Sequence, residues 1–512
     1  MDQQWRTKFR EPRWLQLLLG GSALFSVMML FSLWAKLPSH EALRRPLSPI
    51  SVAPVQQTTH QKVDLFTMVQ NRRNVSTTAN LELLHIDDLV VSDSYQRWAP
   101  VIVSECVHGM DARAAPCIKE ANQANIVEAQ ELLYPAFRLK LPNFTNATMQ
   151  KKWLSGGLHV DRMRISEDLQ WAEYPTFQGQ NLVFSNAVYR GDPPPDIWSD
   201  KGCMGHDVSH ASFVQTLNDS ELANLTNVDT LVVATSPDSW SFQHFIDRVA
   251  VVWSQAQLVL PNTKKSKTVI VTGQEPRDSI VNEIYELMVG EHLHEPELVA
   301  AKRLVFSCRA PLIHPFTTQR ITENILRELT APRNVSDSDR DTILFLSRSR
   351  GGKAVNGGRQ ILNEPELFDA ISAMLNATGR PEKLVYFRHD EFSGLEDVAS
   401  FMHNRVKMMI GPHGAAFYNS RFARPRTALI EIIPDPNKFF VPCFWEQARL
   451  LGQDYSAHVG NTQTEQNDML VAEIMDVVRL VQSRLEYLDK SYRMEDSLGH
   501  TYAWDVEAAR AR

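Results

Sequence analysis

Residues 405–434 read RVKMMIGPHGAAFYNSRFARPRTALIEIIP, and the way this stretch breaks decides the fold. Val406–Ile410 and Thr427–Ile433 are apolar runs of strand length, bounded by turn residues, so they read as short buried strands. Between them there is room for one tight turn and two or three turns of helix. Gly411 and Pro412 are expected to stop the first strand, and the small residues Gly414, Ala415 and Ala416 to open the helix. Such an opening leaves backbone N–H groups bare at the positive end of the helix dipole. That is a ready site for an anion, above all a phosphate.

The rest of the chain fits a two-domain α/β protein. Its 512 residues exceed one ordinary core, and 43% hydrophobic with 22% charged residues is a globular composition. A net charge of -7 speaks against general nucleic-acid binding, which needs a basic face. From residue 230 onward, strand-like runs alternate with helical periodicity. The strands are expected at Thr230–Ala234, Lys267–Thr272, Arg303–Ser307, Thr342–Leu346 and Leu384–Phe387, with a long closing helix through Leu470–Leu488. This alternation predicts parallel sheets covered on both faces, in two doubly wound halves facing a cleft. Ligands in such folds sit beyond the carboxyl ends of the strands, where the Gly411–Ala416 turn lies. Before residue 230 the pattern is irregular, and Val101–Ser104 is the most nameable strand.

The N-terminus carries a separate signal. Trp14–Ala35 runs 22 residues without a charge, long enough to cross a bilayer, with a tryptophan at each end. Arg6, Lys8, Arg10 and Arg13 precede it, which favours a cytosolic tail (1–13), a single-pass type II signal anchor (14–35), a Pro- and Ser-rich stem (36–62) and a lumenal body. Seven N-x-S/T sequons, at Asn74, Asn143, Asn146, Asn218, Asn224, Asn334 and Asn376, all follow the span. So do the five cysteines, an odd count that leaves at least one unpaired within the chain.

Three groups of residues bear on chemistry. Ser347–Lys353 and Gly357–Glu364 put Arg348, Arg350, Lys353 and Arg359 on a Gly-rich loop at the end of a strand. Guanidinium forks suit phosphate oxygens, though a solvated basic loop reads the same way. Asn363 and Glu364 precede Pro365, where helix capping is expected of them. Next, His244 and Asp247, three apart at the start of a helix after Thr230–Ala234, share one helix face. They are open to two readings, a general base or a structural hydrogen-bonding pair. Last, Cys203, His206 and His210, and likewise His292, His294 and Glu295, have metal-ligand spacing without a fourth ligand, so no metal is assigned. Neither a G-x-S-x-G elbow nor a G-x-x-x-x-G-K-[ST] loop occurs, which counts against a serine hydrolase and a P-loop enzyme.

On GPHGAAFYNSRFARPRTALIEIIP at 411–434, SRSRGGKAVNGGRQILNEPEL at 347–367 and SFQHFIDRV at 241–249, the chain resembles glycosyltransferase family 61 over roughly 230–460. The family includes β-1,2-xylosyltransferases and O-linked N-acetylglucosaminyltransferases. The resemblance implies a GT-B fold, an inverting mechanism, a UDP-sugar donor (UDP-xylose or UDP-GlcNAc) and no essential metal or other cofactor. It implies an acceptor-side domain at 63–315 and a nucleotide-sugar-binding domain with the closing helix at 316–512. Arg348, Arg359, His413, Gly414, Ala415, Ala416 and Glu431 would bind the donor, the arginines standing in for a metal at the leaving diphosphate. Asp247 or His244 would deprotonate the hydroxyl of a glycan or glycoprotein acceptor. The expected place is a Golgi or endoplasmic reticulum membrane. Where many members have His-Gly-Ala-Gly, this chain has Ala416 at the last position, one extra methyl at the diphosphate site. The rival reading is a non-catalytic lumenal glycan-binding or scaffold protein that kept the fold.

Overall fold

The computed structural model describes the chain from residue 100 onward, apart from 104–125, 191–213, 221–226, 261–267, 329–335, 351–356, 491–499, 503–512 and some shorter stretches between them. The expected tail, anchor and stem, as well as Cys203, His206, His210 and Lys353, lie outside the described residues. All described residues fall in one compact unit, residues 72–512.

The second half follows the sequence closely. Six strands form a sheet in the order Lys383–Tyr386, Thr342–Phe345, Val406–Pro412, Ala428–Ile433, Asp454–Val459 and Asn143–Phe144, and every pairing is parallel. Both faces are buried, as a parallel sheet requires. Ile343 and Phe345 face a core closed by Leu367, Ile371, Val477, Val481 and Leu485, contributed by helices Glu364–Ala377 and Ile474–Asp489. Leu344, Met409, Leu429 and Tyr455 face the opposite way, into a core continuous with that of the first sheet. The two-residue period of the strands is what sends neighbours into different cores.

The first half departs from expectation. Its eight-stranded sheet runs Val101–Val103, Ile126–Tyr134, Phe177–Arg190, Leu298–Cys308, Asn227–Val233, Thr268–Thr272 and His292–His294, with Val214–Thr216 paired to Phe177–Arg190. Only the Leu298–Cys308, Asn227–Val233, Thr268–Thr272 and His292–His294 part is parallel; the remainder pairs antiparallel. The sheet is therefore mixed, where the sequence implied parallel sheets throughout. Phe177–Arg190 is 14 residues long and carries buried Gln180 and Asn181, so its polar residues hid it. Part of this polar segment is bonded within the core: Asn181 Nδ2 donates to Gln130 Oε1 and the Gln255 carbonyl at 3.3 and 3.2 Å, while its Oδ1 is buried without a partner among the described residues. Gln255 Nε2 donates to the Gln180 and Cys308 carbonyls at 3.1 and 2.9 Å, and the Tyr134 hydroxyl donates to Gln255 Oε1 at 2.7 Å.

The chain also crosses between halves at two places. Helix Pro315–Glu328 packs on Ala250–Ala256 and Ser279–Met288, elements of the first half. Asn143–Phe144 adds a strand to the second sheet, where Asn143 Nδ2 donates to Asp454 Oδ1 at 2.7 Å.

Candidate active site

The site forms where the second sheet's strands end. Val406–Pro412 runs two residues further than its sequence predicts, with Gly411 beside Glu431 and Pro412 beside Ile432. Gly411 permits this because a Cβ there would lie 2.4 Å from the Leu346 carbonyl oxygen. Pro412 is tolerated because it ends the strand. The chain then turns at His413 and Gly414 into Ala415–Phe422, a 3-10 helix in place of the expected α-helix. Its first internal bond is Phe417 N–H to Gly414 O at 3.0 Å, so the Gly414, Ala415 and Ala416 N–H groups precede its ladder. Ala415 is exposed and Ala416 half-buried, its carbonyl accepting from Asn419 Nδ2 at 3.0 Å.

Arg348 meets this loop from the turn after Thr342–Phe345, with the Arg359 charge beside it. Ser347 and Ser349 both donate to the buried Glu364 carboxylate, at 2.7 and 3.1 Å, and so fix the turn that carries Arg348. Glu364 thus braces a candidate site residue beyond its place in the helix's first turn. Asn363 makes no side-chain cap; it clamps Val471 through both amide atoms, at 2.9 and 3.0 Å. Arg348 Nε donates to Gly358 O at 2.8 Å, and its Nη1 would stand 2.8 Å from a Cβ on Gly414. Gly358 and Arg359 both take positive φ, 84° and 60°, and Arg359 N–H bonds Gln466 O at 3.0 Å. For arginine this left-handed geometry is strained, a form of strain that clusters at binding sites. The Arg359 guanidinium lies 5.1 Å over the Phe439 ring and makes no hydrogen bond with any described residue. Burial lowers the pKa of both arginines, to about 10 for Arg348, where the neighbouring Arg359 charge adds to the effect. Two half-buried cations that repel each other invite an anion between them. Arg350 instead stacks 5.5 Å over Tyr386.

His413 and Glu431 lie deeper. His413 Nδ1 is bonded to Glu431 Oε1, and the Tyr455 hydroxyl donates to Glu431 Oε2. With both oxygens engaged and 1% of it exposed, Glu431 is held by its own chain. Burial, then the Glu431 charge, pushes the Tyr455 phenol well above its ordinary range.

The third group arrives from the first sheet. Asn227–Val233 ends before Ser241, whose hydroxyl accepts from His244 N–H at 3.3 Å and caps the segment. Phe242–His244 gives way to a π-helical turn, Phe245–Val249, before Ala250–Ala256, and π turns are frequent at functional sites. Asp247 sits in that turn. It accepts from the Tyr418 hydroxyl at 3.0 Å and lies 3.7 Å from Arg248 Nε. His244, one turn earlier, is half-buried. The loop segment and the segment bearing Asp247 are thereby brought together. Buried Arg421 and Cys443 complete the surroundings: burial lowers Arg421 to about 10, offset by Tyr418 and Asp247, and raises the Cys443 thiol.

Sequence reasoning missed Tyr418, Phe439, Cys443 and Tyr455. Tyr418 lies inside the quoted stretch, and Phe439 follows the end of Ala428–Ile433, where a strand-end aromatic is a usable signal. Tyr455 had none, being one apolar strand residue among many.

The metal-like histidines have other roles. His294 Nδ1 meets Thr272 Oγ1 at 2.7 Å, His292 Nδ1 bonds Gly290 O at 2.9 Å, and Tyr285 stacks on His292. Among the described residues, no three His, Cys, Asp or Glu side chains are grouped to hold a metal ion, and no helix is long and apolar enough to cross a membrane.

No curated protein matches the chain. Residues 242–430 match the family model described as Glycosyltransferase 61, a span that contains Asp247, Arg348, Arg359, His413 and the Gly414–Ala416 loop. The segment bearing the candidate base and the loop bearing the candidate phosphate ligands thus fall within one match, and over that span the chain is similar to glycosyltransferase family 61.

Proposed function

We propose that the protein transfers a sugar, xylose or N-acetylglucosamine, from a UDP-sugar to a glycan or glycoprotein acceptor, with inversion at the anomeric carbon and in a GT-B arrangement. The observation that carries this is the placing of Arg348 against the Gly414 loop with the Arg359 charge beside it, and Asp247 of the first half bonded to Tyr418 just after the loop. The guanidiniums and loop N–H groups would hold the diphosphate and stabilise it as it leaves, without a metal ion. Asp247, or His244 beside it, would take the acceptor hydroxyl's proton as its oxygen attacks the anomeric carbon from the opposite face. The apolar run 14–35, preceded by four cations, supports anchorage as a type II protein with the body in the lumen of the Golgi or endoplasmic reticulum.

The deciding experiment incubates the detergent-solubilised full chain with UDP-xylose, UDP-N-acetylglucosamine or UDP-arabinose and measures UDP release. Release from one donor, stimulated by glycoprotein, is the expected result. Binding of glycan without any UDP-sugar binding would favour the scaffold reading.

A further inference from the structure

His413 stands at the mouth of the Gly414 loop with its ring almost wholly buried, 4% exposed. An ionised carboxylate only accepts hydrogen bonds, so the Glu431 contact assigns the His413 proton to Nδ1. In the neutral ring Nε2 then carries the lone pair, on the side away from Glu431, and no described residue bonds it. The ring walls are apolar, with Phe439 and Phe444 centred 5.0 and 4.7 Å away. The charged and titratable groups around it are Glu431 on the adjoining strand Ala428–Ile433, Tyr455 behind Glu431 on Asp454–Val459, Cys443 and Arg359, whose charges act with Glu431, and Arg348 against Gly414, with Asp468 acting on Arg348. A nucleotide diphosphate brings further negative charge to this group, which favours the protonated form of an imidazole beside it.

We propose that His413 takes up a proton when a nucleoside diphosphate binds, with Glu431 and Tyr455 as positioning residues that hold Nδ1–H inward and leave Nε2 to the phosphate. This rests on the donor-site reading above. The proton comes from solvent onto the Nε2 lone pair, Nε2–H donates a charge-assisted bond to a phosphate oxygen, and the proton returns to solvent when the nucleotide departs. A buried carboxylate behind an imidazole stabilises the imidazolium in the same way in hydrolytic triads. Glu431 and Tyr455 lie just past the matched span of 242–430, so the family match does not include them.

The test is calorimetry of UDP binding to the full chain in HEPES and in Tris at one pH. The dependence of the observed enthalpy on buffer ionisation enthalpy gives the protons taken up. UDP's own ionisation cancels when variants are compared. Wild type should take up a substantial fraction of a proton more than His413→Asn, whose amide still reaches Glu431 but does not titrate. Glu431→Gln and Tyr455→Phe should shrink that excess, the latter with an unchanged melting curve. Equal uptake in wild type and His413→Asn, both binding, overturns the proposal. If His413→Asn abolishes binding, Tyr455→Phe decides, and wild-type uptake in it overturns the relay. Failure of wild type to bind UDP overturns the donor-site reading and the inference together, and is thereby distinguishable from binding without proton uptake.

Discussion

The Tyr418 hydroxyl donates to the Asp247 carboxylate at 3.0 Å, across 171 residues of chain. It is a direct bond between the phosphate-loop segment and the segment with the candidate base. Asp247→Asn keeps size and removes basicity, so turnover should fall roughly 10²–10⁴-fold with donor affinity nearly intact. Single-turnover assays beside equilibrium UDP binding will separate the two effects. Full activity in both Asp247→Asn and His244→Ala would put the base elsewhere.

Arg348→Ala and Arg359→Ala should each weaken UDP binding by at least about 10-fold, since a charge-assisted contact is worth roughly 1.5–3 kcal/mol. The Arg359 guanidinium makes no hydrogen bond with a described residue, so its loss should leave the melting temperature nearly unchanged. Arg348 also holds Gly358 O at 2.8 Å and should cost some stability besides. Calorimetry and a melting curve on each variant check both statements, and unchanged affinity in both removes these side chains from the site.

Gly411→Ala should destabilise by about 1–3 kcal/mol, because its methyl meets a backbone carbonyl that cannot swing aside. Gly357→Ala is the control. Its Cβ would find nothing nearer than 3.9 Å, and it should be close to neutral. Denaturant titration of both decides it.

If amides and guanidiniums carry the diphosphate charge, transfer should survive EDTA with most of its rate. Assay with and without chelator, then with restored Mg²⁺ or Mn²⁺, is the check. Complete loss that metal reverses would revive a metal-dependent route.

Acid should weaken a structural ion cluster far from the loop. Burial alone would raise the Glu382 carboxyl, but bonds from Arg380 and Lys407 outweigh it and hold it at about 2. A depressed folded-state pKa means stability present above the unfolded value of about 4.5 and lost as pH falls toward about 2. Glu382→Gln should therefore be less stable than wild type at pH 7, with the difference closing in that window. Unfolding followed at pH 7, 4 and 2.5 measures it.

The legible part of the molecule was the part whose residues obey one period. Parallel strands buried on both faces write themselves as unbroken apolar runs, so Thr342–Phe345, Ala428–Ile433 and the helices between them could be read. Phe177–Arg190 could not, because it buries Gln180 and Asn181, whose partners, such as Gln255 on the Gln180 carbonyl and Gln130 on the Asn181 amide, only the tertiary fold supplies. The same limit divides the site. Arg348, Arg359 and the Gly414 loop are local motifs, whereas Tyr455 matters through one hydroxyl placed by the neighbouring strand. The loop's departure from α to 3-10 geometry was likewise invisible, since Gly-Ala-Ala opens either.

Asn143–Phe144 completes the edge of a sheet whose adjoining strand, Asp454–Val459, begins 311 residues later. During synthesis the early strand must therefore wait. At about 5–20 residues per second, roughly 15 to 60 s pass before its partner is made. Through that interval Asn143, the first residue of a sequon, has no sheet to join and is open to the modifying enzymes of whatever compartment it enters. Once Asp454 arrives, the same amide is locked. A glycan on Asn143 would replace one of the two hydrogens with which Nδ2 donates to Asp454 Oδ1 and the Tyr455 carbonyl, so modification before Asp454 is made would leave the amide at most one of these two bonds.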